Sequence, residues 1–194
     1  MTRDRFRGGY TWEEWLEEVV HRRAEWRSRY RDARLGPLRA AFQDVPAPRY
    51  VACIVDDACA DSAGSTPYIA RACEQAGGVE LRVFSRAEDP ELLRQYQTDG
   101  KEQTPVCVVF DGTWRQVGIW GPRPEPLRNH VASLSGEATH DELVAELEAY
   151  YADDAGQTVL TEFAHVLRGD AVPAWRAGRE AIDVRRRRSV GESA

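Results

Sequence analysis

Tyr50-Val51-Ala52-Cys53-Ile54-Val55-Asp56-Asp57-Ala58-Cys59-Ala60-Asp61 passes from an apolar run straight into a turn of small residues that carries a cysteine. Tyr50, Val51, Cys53, Ile54 and Val55 have the nearly continuous apolar character of a strand covered on both faces, and residues 62–75 then read as helix. Cys59 therefore falls at a helix N-terminus. There the unpaired N–H groups and the positive end of the dipole favour a thiolate, a reason for reactivity that Cys53, Cys73 and Cys107 lack.

Working outward, Cys59-Ala60-Asp61-Ser62 is followed by Pro67, and a Thr104-Pro105 pair opens a second apolar run through Asp111. Glu88-Asp89-Pro90-Glu91-Leu92 lies between them, and Trp120-Gly121-Pro122-Arg123-Pro124 comes after. Taken in order, these segments resemble the thioredoxin superfamily, and within it a bacterial thioredoxin-like family with W-C-x-D-C, D-x-N-P-E-L, I-P-x-x-V-F-x-D and W-G-P-R-P motifs. The resemblance covers roughly residues 48–135. It implies an α/β thioredoxin-like fold, a central four-stranded mixed sheet flanked by helices, with helical extensions at both ends. It also implies a cis Thr104–Pro105 peptide against the Cys59 sulfur, and a groove shared by Ala58, Ala60, Asp61, Thr104, Pro105, Gly121 and Arg123. Arg123 is open to two readings, as support for a thiolate or partner carboxylate, or as a structural ion pair with Asp61 or Asp111.

Two departures fall where the chemistry would be. Ala58 stands where the family has tryptophan, and Ser62 where it has its second cysteine. A dithiol enzyme releases its product with the second cysteine, so a serine there removes the internal resolving step. Cys59 and Ser62 are then the site of a one-thiol protein that forms mixed disulfides with protein or low-molecular-weight thiols. The alternative is a thioredoxin-shaped binding module without redox activity; the redox reading is preferred because Cys59, Asp61 and the proline are kept. A monothiol glutaredoxin holding an iron–sulfur cluster fits less well, since its Cys-Gly-Phe-Ser motif is not matched by Ala60-Asp61. Asp56, Asp57 and Asp61 stand against a second negative charge near the sulfur, whereas the helix terminus and the Ser62 hydroxyl favour it.

Composition narrows the partners. The 194 residues, 42% of them hydrophobic, are enough for one domain of ordinary size, and a net charge of −6 with Lys101 the sole lysine argues against nucleic acid. No membrane span and no secretory h-region is expected, which points to the cytoplasm. Cys53, Cys59, Cys73 and Cys107 have no metal-ligand spacing, and His21, His130, His140 and His165 have no motif linking them to Cys59; they read as surface histidines, and neither cofactor nor metal is expected. Cys53, Cys73 and Cys107 read as small buried hydrophobes.

Along the chain, residues 1–47 read as an N-terminal helical extension, 48–135 as the thioredoxin-like domain and 136–194 as C-terminal helices and tail. A capping box at Thr11-Trp12-Glu13-Glu14 opens a long amphipathic helix with Trp12, Trp15, Leu16, Val19, Val20, Trp26 and Tyr30 on one face, which packs on the domain or pairs with a second copy as a homodimer. Strands are expected at 79–85, 104–111 and 113–120, the last two forming a hairpin at Asp111-Gly112, with a short helix at 90–98. A second capping box at Thr139-His140-Asp141-Glu142 and the stripe through Phe163, Val166 and Leu167 give two closing helices. Trp175 and the Arg185–Arg188 run belong to the tail, Arg185–Arg188 as a solvated end.

Overall fold

The computed structural model describes residues 1–170 apart from 99, 135 and 137, so the expectations for Trp175 and Arg185–Arg188 lie outside the described residues. Strand β1 (Arg49–Val55) decides the layering by its alternation. Val51, Cys53 and Val55 enter one core together with Cys107, Val109 and Trp120; Ala52 and Ile54 enter a second core with Val106, Val108 and Phe110. A strand buried on both sides must lie inside a covered sheet, and β1 does. It pairs in parallel with β2 (Val79–Ser85) and antiparallel with β3 (Val106–Asp111), which pairs antiparallel with β4 (Gln116–Trp120), giving the order β2-β1-β3-β4. The expected mixed four-stranded sheet flanked by helices is present. Helix α5 (Ala60–Gln75) makes the crossover from β1 to β2.

The larger core is closed by α5 with α2 (Trp12–Glu18), α3 (Arg23–Asp32), α8 (His140–Asp154) and α9 (Gln157–Arg168). On the other face, Phe6 of α1 (Arg3–Arg7) and Leu92 and Leu93 of α6 (Pro90–Arg94) fill the smaller core. Phe42 of α4 (Arg39–Gln43) and Leu127 of α7 (Glu125–Leu134) are also buried in the larger core. The edge of β2 is met by Tyr10, whose N–H and C=O bond the Val83 carbonyl and N–H, each at 2.8 Å. Gly9 permits this approach, since a Cβ there would lie 2.7 Å from the Phe84 ring.

The long N-terminal helix is a correction. In its place the chain forms α2 and α3, because the Asp57 carboxylate takes the Val20 and His21 N–H groups at 3.0 and 2.8 Å, and Arg22 adopts a left-handed conformation. Folding back keeps the aromatic stripe in one place: Trp12 and Trp15 of α2 lie 6.0 and 5.6 Å, centroid to centroid, from Trp26 of α3, all buried in the domain's own core. Other bounds move for local reasons. The 113–120 strand starts only at Gln116, since Asp111 Oδ1 holds the N–H groups of Thr113 and Arg115 and extends the turn. Helix α7 was not expected, although Leu127, Val131 and Leu134 have helical spacing.

Helix α5 meets α8 where Gly64 faces Tyr151, and a Cβ on Gly64 would lie 2.3 Å from that ring. Tyr151 is 1% exposed and its hydroxyl is held by Asp61 at 2.7 Å, so the ring has no free route away. In Gly64→Ala the helix gains about 1 kcal/mol of propensity, but overpacking against a pinned ring costs roughly 1–3 kcal/mol. The expected outcome is net destabilisation, read as a lower thermal unfolding midpoint; an unchanged or raised midpoint would contradict the contact.

Candidate functional site

The turn between β1 and α5 is shaped by its own side chains. Asp56 Oδ1 accepts the Ala58 N–H at 3.0 Å and the Asp56 carbonyl accepts the Cys59 N–H at 3.1 Å, the short-range bonding that aspartate brings to turns. Cys59 is the N-cap of α5, with extended backbone and its carbonyl accepting the Ala63 N–H at 3.0 Å. Its sulfur does not cap the helix. The Cys59 Sγ–H instead donates to the Thr104 carbonyl at 3.3 Å, and the Thr104–Pro105 peptide is cis.

A third segment closes on the same point. Gly121 has φ 128°, and a Cβ on it would come within 2.2 Å of the Pro105 carbonyl oxygen, so only glycine fits this approach. The next residues lead to Arg123, whose Nη2 donates to Asp61 Oδ2 at 2.6 Å. Of the two structural pairings read from the sequence, Asp61 is the partner; Asp111 is engaged in its own turn with Thr113 and Arg115. Asp61 is 3% exposed and also accepts the Tyr151 hydroxyl. Burial pushes the Asp61 carboxyl above the ordinary range, and Arg123 and Tyr151 offset this only in part.

Ala58, Cys59, Ala60, Asp61, Thr104 and Arg123 line one groove of about 630 Å³. Pro105 is buried beneath the Thr104 carbonyl side, Gly121 is half-buried beside it, and Ser62 is fully buried. The Ser62 Oγ accepts the Asp56 N–H at 3.4 Å. The far wall is built from the start of α8, where His140 and Asp141 precede the apolar Leu143, Val144 and Leu147. All four histidines are exposed, and only His140 borders the groove. Among the described residues no group of three or more His, Cys, Asp or Glu side chains could hold a metal, and no helix is long and apolar enough to cross a membrane.

The three aspartates do not crowd the sulfur as free charges. Asp56 serves the turn and lies 3.7 Å from Arg86, Asp57 is bound to the Val20 and His21 backbone, and Asp61 is paired with Arg123. The N-terminal segment was not expected to reach the site at all. Besides the Asp57 contacts, Trp26 Nε1 donates to the Asp57 carbonyl at 3.2 Å, and Arg22 Nε donates to the Ala58 carbonyl at 2.9 Å. Arg22 is itself fixed by Glu25 and by Glu148 of α8 at 2.7 Å. Capping boxes and aromatic spacing reveal helices here, but nothing local to Arg22 or Tyr151 signals a contact with residues 36 or 90 positions away.

A family model described as Thioredoxin matches residues 9–138 of this sequence. No curated protein matches it. Among solved structures, a protein of unknown function from Pseudomonas aeruginosa superposes with a TM-score of 0.67 at 15% identity, over 86% of this chain and 96% of that one. An HIV epitope-scaffold protein superposes with a TM-score of 0.66 at 13% identity, over 88% of this chain and 100% of that one. At these identities the likeness concerns the fold alone.

The Asp61 environment sets a pH dependence with a definite sign. The folded-state pKa is raised, so between the unfolded value of about 3.9 and the raised one the native state binds more protons than the unfolded chain. By linkage, the Asp61 contribution to stability is lost as pH rises through that window. The denaturant midpoint of wild type minus that of Asp61→Asn should therefore fall with increasing pH; a difference that is flat or rises would contradict the burial of this carboxyl.

Proposed function

The chain belongs to the thioredoxin family, and from that premise we propose that it is a one-thiol thioredoxin-like protein that performs thiol–disulfide exchange through Cys59. The observation that carries this reading is the position of the Cys59 sulfur, partly exposed at the start of α5 and 3.3 Å from the carbonyl that precedes cis-Pro105, at the floor of an open groove. The Cys59 thiolate attacks one sulfur of a partner disulfide; a new S–S bond forms, the old one breaks, and the second partner sulfur leaves as a thiolate that takes up a proton. Regeneration needs a second thiol from outside, which attacks the mixed disulfide and releases reduced Cys59. Ser62 cannot supply that step, because it has no thiol and its hydroxyl is buried against the Asp56 N–H.

The groove supports partners that are peptide-like or small thiols. Its lining offers the Thr104 carbonyl, the cationic Arg22, Arg86 and Arg123, and the apolar Val131, Leu143, Val144 and Leu147. Protein disulfides and low-molecular-weight disulfides are thus the proposed reactants, in a cytoplasmic setting where external thiols are abundant. No cofactor is required.

Incubation of native protein with oxidised glutathione should add one glutathionyl group per chain, mapped to Cys59, and the adduct should persist until free thiol is supplied. Cys59→Ser should take up none. Ser62→Cys should replace the adduct by an internal disulfide between Cys59 and the introduced thiol, with a stability change under ~1.5 kcal/mol for this near-isosteric swap. Absence of any adduct on wild-type Cys59 would overturn the redox reading and leave the groove as a binding surface for a protein partner.

A further inference from the structure

We propose that Cys53 and Cys107 are a second redox site, a cross-strand thiol pair in the middle of the sheet that a low-molecular-weight disulfide closes to an internal disulfide. This site does not depend on Cys59. Cys53 in β1 and Cys107 in β3 are directly opposite each other in an antiparallel pair, and their sulfurs lie 2.8 Å apart. Facing residues of antiparallel strands have Cα atoms about 4.5–5.5 Å apart, inside the ~4.4–6.8 Å that a disulfide spans. The backbone therefore already has the separation that the bond needs, and the sulfurs have only to close by under an ångström to reach the ~2.05 Å of an S–S bond.

The neighbouring facing pairs show what the sheet otherwise puts there. Val51 faces Val109, Ala52 faces Val108 and Ile54 faces Val106, ordinary apolar partners, whereas two of the chain's four cysteines meet at the pair between Ala52–Val108 and Ile54–Val106. Both side chains are 0% exposed and belong to the larger core, beneath the helix that carries Cys73. Simple packing explains one small sulfur-bearing residue in such a core; it does not require two in register.

The chemistry balances without a further reactant. One cysteine attacks the small disulfide RSSR, forming a mixed disulfide and releasing RSH; the facing cysteine then attacks that mixed disulfide, forming the Cys53–Cys107 bond and releasing the second RSH. Two electrons pass from the pair to RSSR, and the two thiol protons leave with the two RSH molecules. Burial pushes the Cys53 thiol well above its ordinary range and excludes bulky reagents, so exchange proceeds through an opened sheet. Cys59, which is partly exposed, exchanges without opening. The two sites thus answer the same oxidant on different timescales, and the slow one joins the two central strands of the sheet.

The test refolds the full chain from denaturant either in dithiothreitol or in a mixture of reduced and oxidised glutathione, followed by alkylation under denaturing conditions and peptide mapping. Cys59→Ser and Cys73→Ser are run beside wild type to remove competing partners. In all three, the glutathione mixture should yield a peptide linked through Cys53 and Cys107, and those two residues should escape alkylation. Because the bond closes a loop between residues 54 positions apart, the oxidised protein should unfold at a temperature about 10 °C higher than the reduced one. Added to native reduced protein, oxidised glutathione should close the pair slowly, and sub-denaturing urea should speed closure while Cys59 reacts at once. The proposal is overturned if every cysteine is alkylated after refolding in the mixture. A link through Cys73, an oxidised form that unfolds at a lower temperature than the reduced one, or closure in native buffer as fast as the Cys59 reaction would equally overturn it.

Discussion

A carboxylate taken out of water costs several kcal/mol unless cations and donors replace its hydration, and for Asp61 Arg123 and Tyr151 replace it in part. The three residues come from the first turn of α5, the segment after β4 and the body of α8, separated by 62 and 90 positions. Satisfying one buried charge therefore fixes how three segments meet. Those same segments border the groove, so its shape is set by an interaction that lies mostly below the surface.

The N-terminal helices complete the arrangement from the other side. Asp57 gives its carboxylate to Val20 and His21 and its carbonyl to Trp26, while Arg22 holds Ala58 and reaches across to Glu148. The loop that presents Cys59 is thus bonded on its outer flank by a segment that precedes the sheet in sequence. The Trp26 indole, which is fully buried, hydrogen-bonds this loop through the Asp57 carbonyl. These bonds hold the loop with the Cys59 sulfur beside the Thr104 carbonyl.

Much of the sheet was legible in the sequence because its signals are local. The apolar run from Tyr50, the glycine pair before Val79, and Asp111-Gly112 each mark a strand or its end within a few residues, and both capping boxes form as read. The break between α2 and α3 was hidden for the opposite reason. It is made by Asp57, 36 and 37 positions from the N–H groups it captures, and no periodicity in residues 12–30 records that. Cys53 and Cys107 read singly as apolar fillers; their facing positions follow only from the register of β1 on β3, which sequence spacing does not fix. The roles of Arg123 and Asp61 were partly legible, since opposite charges were expected to pair, but the choice of Asp61 over Asp111 was made by the turn that occupies Asp111.

The two hydrogen bonds between Tyr10 and Val83 have a consequence for how this molecule behaves in a crowd of its own copies. Strand β2 lies at the edge of the sheet, and an edge strand is a template on which another chain can add a strand and begin aggregation. A single residue paired there, followed at once by a helix that turns the chain away, occupies the middle of the template without offering a new edge of useful length. The Tyr10 pairing thus withholds the Val83 backbone from intermolecular strand addition, in the same segment whose Phe6 closes the smaller core beneath the sheet.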